Sequence, residues 1–275
     1  MTAETMTAEQ EAAHAARAAG VQIREVTDLA GFAAVQELFD GIWRPDPSNP
    51  TVTTELLRAL TKSGNYVVTA DRDGRIVGAC VAFFGPPREA MLHSHIAGVV
   101  ADLTGRSVGH ALKMHQRAWA LKRGVRTITW TFDPLVRRNA YFNLVKLGAH
   151  ATEYLPDFYG GMHDRINGGD ESDRLLIEWD LYAARPGRTG IDGAVVALGY
   201  AADGGPHKGS TAAGTLLVAV PADVEALRAA DPGLARQWRS ALRDVLRPLM
   251  AGGARITGFD KAGWYIVTRT EVPAR

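Results

Sequence analysis

The chain has 275 residues, 46% of them hydrophobic and 22% charged, and 31 Lys and Arg against 30 Asp and Glu leave a net charge of +1. That length holds one large domain, or one domain and a smaller appendage, with a core of good size. The balanced charge argues against a nucleic-acid or anionic-membrane partner, no apolar run reaches the roughly 18 residues of a membrane span, and the single cysteine, Cys80, excludes a disulfide framework within the chain. A cytoplasmic protein is expected, with Cys80 as a buried inert thiol rather than a nucleophile.

Residues 1–20, rich in Ala and Glu and without the apolar region of an export signal, read as a frayed helix or flexible lead-in. Residues 21–26 alternate as a short strand. Asp28 can cap a helix with Leu29, Phe32, Val35, Leu38, Phe39 and Ile42 on one face, ending near Trp43 before Pro45 and Pro47. Thr53 can cap a second helix carrying Leu56, Leu57 and Leu60. Strands over 65–71 and 75–84 are joined by Arg72-Asp73-Gly74, a hairpin signal. After Pro86-Pro87, a strand over 91–101 leads to a helix over 107–123. A strand over 126–133 and a helix over 136–147, closed by Gly148, come next. Strands over 151–159 and 174–181 flank a polar loop.

The order β-α-α-β-β-β-α-β-α-β-β predicts an α/β fold, a mixed sheet with helices on both faces, in which the strand–helix–strand unit over 91–133 is parallel with a right-handed crossover. Beyond residue 183 the composition turns to Gly, Ala and Pro over 183–193 and 201–214, as in linkers. A strand over 216–220 precedes a helix opened by Asp231-Pro232, with Leu234, Trp238, Leu242, Val245, Leu246 and Leu249 at helical spacing. A hairpin over 255–268 ends the pattern. The predicted organisation is a flexible segment 1–20, a main domain 21–183, and a β-α-β-β extension 184–275 packing on the main domain or on a second subunit.

The most informative stretch is 97–124, an apolar strand, a turn containing Gly105 and Gly109, and an amphipathic helix stopped by Gly124. Such a turn leaves backbone N–H groups unpartnered at the positive end of a helix, a geometry that holds a phosphate or diphosphate. No Walker motif is present, and the spacing of a dinucleotide fingerprint is missing.

The stretch resembles the acyl-CoA diphosphate loop of the GNAT superfamily of N-acetyltransferases. That loop follows Gln/Arg-x-x-Gly-x-Gly/Ala, which Arg106-x-x-Gly109-x-Ala111 satisfies. A second register puts Val99 and Ala101 at the strand end, Thr104, Gly105, Arg106, Ser107, Val108 and Gly109 on the loop, and Ala111-Leu112 on the helix. In that register Ser107 stands where the family usually has Gly, and Thr104 where it has Arg. The element order over 21–181 is similar to the family's layout. Residues 130–135, followed by Asn139-Ala140, Asn143 and the run 146–149, resemble its fifth strand and fourth helix.

The resemblance implies an acyl-CoA co-substrate, acetyl-CoA or another, no metal, and direct attack by an amine on the thioester. It puts a backbone donor for the thioester oxygen beside Val99 or Val100, and an Asn, Asn139 or Asn143, on the pantetheine arm. The family's acidic Tyr falls at Leu144; Tyr141, Tyr154 and Tyr159 are the phenols left, and Tyr159, at the mouth of the polar loop, is preferred. For a base, His93 and His95 alternate on one strand face with a side-chain pKa suited to the task; the alternative is a pair satisfied by neighbouring strands. Asp133 and Glu153 come next, although Asp133-Pro134 reads more readily as a strand exit. Val108, Leu112 and Trp119 read as core. Lys113, Arg117, Lys122 and Arg123 read as a solvated face, from which one could reach the CoA 3′-phosphate. Trp43 reads as a wall of the acceptor pocket, and Arg137 and Arg138 as exposed or as holding an acceptor carboxylate.

Two functions follow: an acyl-CoA-dependent N-acyltransferase acting on a small-molecule amine, or a protein of the same fold that binds CoA or an acyl group without transferring it. A scaffold assembled through the extension is a third reading, and a homodimer stays open.

Overall fold

A computed structural model of the chain describes residues 6–46, 49–162, 164, 166, 168–184, 187 and 190–269. They fall into two compact units. The first comprises the described residues through Thr129 together with Asp180–Tyr182; the second comprises Trp130–Trp179 and the described residues from Ala183 onward. The division by packing thus lies inside the stretch 21–183.

In the first unit β1 (Gln22–Glu25), β2 (Tyr66–Arg72), β3 (Arg75–Phe84) and β4 (Met91–Val99) pair antiparallel in that order. The beginning of β5 (Thr127–Phe132) adds to β4 in parallel. Asp73 and Gly74 form a two-residue turn with φ of 51° and 79°, the left-handed conformation whose twist suits a tight hairpin.

Strand alternation then separates two faces. On one, Val67, Ala79 and Val81 share a buried cluster with Phe32, Val35 and Phe39 of α2 (Leu29–Trp43) and Leu57 of α3 (Thr54–Lys62). On the other, β2 and β3 meet α4 (Val108–Leu121): the Tyr66 hydroxyl lies 2.9 Å from His115 Nδ1, and its ring packs edge-on to Trp119. Helices therefore cover both faces, as the element order predicts.

The described part of the first 20 residues is not a loose lead-in. Thr7 and Gln10 form a reciprocal capping box on α1 (Ala8–Ala19), and Ala12, Ala15 and Ala19 make a buried small-residue stripe. The helix lies on α4, tied by Arg117 to Glu11 at 2.7 Å and by Lys122 to Glu9 at 3.3 Å. With α1 on one side and the sheet on the other, α4 is buried on more of its circumference than an amphipathic stripe predicts; Lys113 and Gln116 are inside, against Ser94 of β4 and Cys80 of β3. Lys113 is therefore not on a solvated face.

In the second unit β5 runs on into α5 (Arg137–Ala140), which widens at once into a π-helical turn over Tyr141–Lys146 rather than continuing as one α-helix. β6 (His150–Leu155) pairs antiparallel with β7 (Arg174–Asp180). β6 stops short of residue 159 because Asp157, at φ 41°, turns the chain and donates its N–H to Asp173 Oδ1 at 3.0 Å.

The rest of this unit is richer than a β-α-β-β pattern. A five-stranded sheet has the order β11 (Arg255–Asp260), β12 (Trp264–Thr268), β10 (Thr215–Ala219), β8 (Val195–Tyr200), β9 (Pro206–Lys208). β9 lies inside a stretch read as linker, and α6 (Val224–Ala230) precedes α7 (Pro232–Ala251). α7 opens as its sequence predicts, with Asp231 accepting from the Leu234 N–H at 2.9 Å, and buries Trp238, Leu242, Val245, Leu246 and Leu249.

A buried ion network joins α6 and α7 to residues 130–174. Arg239 reaches Asp133 and Asp170, both at 2.9 Å, and Arg228 reaches the same two carboxylates. Arg243 Nε donates to Asp173 at 2.9 Å.

Candidate functional site

The first unit brings together His93, His95 and the whole run Val99–Gly109. β4 pairs with β5 only from Met91↔Thr127 to His93↔Thr129, so the remainder of β4 has no ladder on that edge among the described residues. On its other edge β4 follows β3 to the end, where the Val100 N–H donates to Val77 O at 3.0 Å. Val100 therefore cannot supply a free donor. Antiparallel pairs alternate between bonded and non-bonded, so with Val100 bonded to β3, the N–H groups of Val99 and Ala97 point away from β3, towards the open edge. A β-bulge leaves His95 as the extra residue opposite Val81 and Ala82.

After β4 the chain makes a 3₁₀ turn over Ala101–Leu103, in which Thr104 Oγ1 lies near Val100 O, and then enters α4. Among the described residues no hydrogen bond reaches the N–H groups of Gly105, Ser107, Val108 or Gly109, while Arg106 N–H is used by Leu103 O and Ala111 N–H by Ser107 O. Four amides thus cluster at the positive end of α4. Gly105 has φ 83°, and a Cβ built there would touch nothing within 4 Å; at Gly109 the nearest atom would be 4.0 Å away. Ser107, the residue immediately before α4, has φ 66° and makes no side-chain cap, so it keeps a conformation that glycine adopts freely. The backbone still turns its amides outward, at the expense of a left-handed serine. Beside the loop lies a cavity of about 490 Å³ lined by Arg72, Asp73, Arg75, Asp102 and Arg106, in which Arg75 pairs with Asp102 at 3.0 Å. The wall carries both signs of charge, Arg72 also pairing with Asp73 at 3.6 Å; the unpaired amides and the open strand edge fit a diphosphate with a pantetheine arm.

His93 Nδ1 lies 3.1 Å from Thr129 Oγ1, and Phe83 stacks near both histidines. Burial first, then the charges of His95 and Lys113, push His93 down to about 4, so it is a neutral but weak base. His95 is more exposed and is lowered by burial alone. Trp43 packs over β4: a Cβ at Gly98 would come within 2.8 Å of it, so only glycine admits the indole. Arg117 also donates to Leu181 O at 2.9 Å and Arg123 lies over the Trp119 ring, so neither stands as a bare cation.

Under β4 sits a polar group that sequence reading misses. Lys113 Nζ donates to Ser94 Oγ at 2.8 Å and to Gln116 Oε1 at 3.1 Å; Gln116 donates to Cys80 Sγ, which is 3.8 Å from Ser94 Oγ. Burial lowers the Lys113 ammonium to about 8 and raises the Cys80 thiol. No local pattern signals it, because Lys113 meets Ser94 19 positions away and Gln116 meets Cys80 36 positions away.

Asn139, Asn143 and Tyr159 belong to the second unit. Asn143 is buried in the π-helical turn, where its backbone carbonyl accepts from Ala149 N–H at 3.0 Å; Asn139 is half-buried on α5. Tyr159 is 43% exposed, its hydroxyl 3.0 Å from Thr131 Oγ1 and its ring edge-on to Phe158. Tyr154 is unsuited to proton delivery, because its buried hydroxyl donates to Asp173 at 2.6 Å, and burial and that carboxylate push its pKa far up. Leu144 is buried and apolar. Asp133 is no base: burial alone would raise its pKa, but Arg239 and then Arg228 outweigh that and hold it far below the usual carboxylate range. Glu153 is exposed on β6. Arg138 pairs with Glu225 and Arg137 donates to Lys261 O, so both serve the packing of this unit.

Among the described residues there is no cluster of metal-ligating side chains, and no helix is long and apolar enough to cross a membrane.

Residues 32–144 match the sequence model of the Acetyltransferase (GNAT) family. No curated protein matches the chain by sequence. Among solved structures, similar folds include an N-acetyltransferase of Staphylococcus aureus (16% identity, 58% of this chain and 98% of that chain, TM-score 0.47). They also include the ribosomal-protein-alanine N-acetyltransferase of Brucella melitensis (19%, 58% and 99%, TM-score 0.45). A third is a Salmonella typhimurium protein assigned as an acetyltransferase, solved with its cofactor acetyl-CoA (17%, 62% and 98%, TM-score 0.49).

Proposed function

We propose that the chain, whose residues 32–144 match the sequence model of the Acetyltransferase (GNAT) family, transfers an acyl group, acetyl in the first instance, from coenzyme A to the amine of a small molecule by direct attack. The observation that carries this reading is the row of unpartnered amides at Gly105, Ser107, Val108 and Gly109, continued by the Ala97 and Val99 N–H groups on the open edge of β4. Bound acyl-CoA supplies the electrophilic carbonyl and a thiolate leaving group. The residues of the chain do the rest. The loop amides and the α4 N-terminus bind the diphosphate. Val99 and Ala97 donate to carbonyl oxygens along β4 and stabilise the charge that develops on the thioester oxygen. His95, the more exposed of the two histidines, takes the proton of the incoming ammonium, with His93 behind it as a neutral neighbour. The resemblance to the family assigns the pantetheine arm to Asn139 or Asn143, and Tyr159 is the phenol it leaves for the thiolate.

The work is assigned to the cytoplasm, without metal, nucleic acid or membrane; residues 184–275 complete the packing of the second unit, and a homodimer is compatible with it. The test is thermal stabilisation by acetyl-CoA, succinyl-CoA and free CoA, followed by thiol release across a panel of amines. Stabilisation with amine-dependent thiol release is the expected result. The buried Leu144 and the weak basicity of His93 favour a second reading, a CoA-binding protein that transfers nothing; stabilisation without thiol release selects it. No stabilisation by any CoA contradicts both.

A further inference from the structure

We propose that Lys113, acting through the hydroxyl of Ser94, is the proton source for the thiolate that leaves in the acyl transfer. This rests on the acyl-CoA reading above and moves the role from Tyr159 to a pair inside the first unit. Ser94 is the first residue of β4 beyond the last pair with β5, His93↔Thr129, so it stands where the strand edge opens. Its side chain is buried against α4, and Lys113 Nζ donates to its Oγ at 2.8 Å. With that lone pair taken by the ammonium, the Ser94 hydroxyl proton is aimed elsewhere. Its other recorded partner is itself a sulfur, Cys80 Sγ at 3.8 Å, a contact in which either atom can donate. Gln116 fixes the arrangement from beneath, accepting from Lys113 at 3.1 Å and donating to Cys80 at 3.3 Å.

The step balances as follows. The neutral amine of the acceptor attacks the thioester carbon and forms the C–N bond. The C–S bond breaks with its electron pair going to sulfur. Sulfur takes the hydroxyl proton of Ser94, which takes one from Lys113 Nζ. The acceptor nitrogen loses its proton to the base and then to solvent, from which Lys113 is recharged. Burial brings the ammonium to about 8, close to the pKa of an ordinary thiol, so the proton moves with little net driving force either way. A merely structural lysine needs no such match.

The test compares the wild type with Lys113→Met, Lys113→Arg and Ser94→Ala, using two readouts. In binding, CoA is measured against desulfo-CoA at pH 8.5. The wild type is expected to prefer CoA by about twofold, what one pKa unit of interaction between sulfur and ammonium yields when both groups are only partly ionised. Lys113→Met abolishes the preference, and Lys113→Arg, still cationic, keeps part of it. In turnover, wild-type kcat declines as pH rises through about 8 and Lys113 loses its proton. Lys113→Met and Ser94→Ala lower kcat by about 10²-fold or more, and Lys113→Arg, whose guanidinium does not titrate there, loses the decline. If Lys113→Met does not fold, Ser94→Ala decides. A wild type that binds acyl-CoA and releases thiol, with folded variants that keep its kcat, pH profile and CoA preference, overturns this inference alone. A wild type that neither binds acyl-CoA nor releases thiol overturns the acyl-CoA reading with it.

Discussion

Ser107 adopts φ 66° at the entrance to α4, with no hydrogen bond from its own side chain to compensate. The left-handed conformation costs a residue with a Cβ roughly 1–2 kcal/mol, while glycine reaches it freely. Ser107→Gly is therefore expected to stabilise the chain by about 1 kcal/mol, less the entropy that a glycine loses on folding, and to leave acetyl-CoA binding intact or tighter. Calorimetric unfolding with and without acetyl-CoA checks this; a destabilised variant would mean that the serine hydroxyl has a partner of its own. This residue also shows how far sequence carries. That a turn and a helix N-terminus occur at Thr104–Gly109 was legible from Gly105, Gly109 and the apolar strand before them. That Ser107 would keep the glycine conformation was not, because the choice is made by the two fixed elements it joins. The same holds for Val100, whose N–H is claimed by Val77, a partner 23 residues away that no local pattern names.

At the scale of elements, α1 and the network around α7 carry the clearest consequences. Ala15 lies in the buried stripe that faces α4. Ala15→Glu puts a charge and extra volume there and is expected to cost about 1–3 kcal/mol, lowering the thermal midpoint by several degrees. A midpoint equal to wild type would show α1 to be dispensable. In the second unit, Arg239→Ala leaves Asp133 and Asp170 buried with one guanidinium instead of two, a loss on the order of 3–5 kcal/mol, readable by chemical denaturation. The sign of the pH dependence follows from the same pair. Asp133 is depressed in the folded state, so the stability it contributes is present above the ordinary carboxylate pKa near 4 and is lost as pH falls below it. The wild type is expected to lose stability steeply below pH 4, and Arg239→Ala less steeply. Equal slopes would remove Asp133 from the account. These ion pairs were invisible in the sequence because Asp133 and Arg239 are 106 positions apart, and Asp133-Pro134 looks locally like a strand exit.

For the whole molecule, the element order from β1 to β7 was readable because each strand and helix there carries its own period, cap or turn. The second sheet was less readable: β9 is short, lies among Gly, Ala and Pro, and is held by β8 rather than by its own composition. The chain's division at Thr129, inside a continuous strand, could not be read from linker composition, since no linker marks it. The site divides in the same way. The turn and helix N-terminus at Thr104–Gly109 that the proposed site uses were legible; the contact of Ser94 with Lys113 was not, because the two lie 19 positions apart and a lysine on an amphipathic helix reads as solvated. The central claim is that main-chain amides at the α4 N-terminus hold the diphosphate of an acyl carrier. Isothermal titration of CoA and of pantetheine, which lacks the diphosphate, into wild type and Gly105→Val tests it most directly. Gly105 has open space around it but φ 83°, so valine strains the turn without blocking it. The prediction is that wild type binds CoA, that Gly105→Val weakens CoA by at least about tenfold (1.4 kcal/mol), and that pantetheine is unaffected. CoA binding that survives Gly105→Val unchanged, or is absent from the wild type, would contradict it.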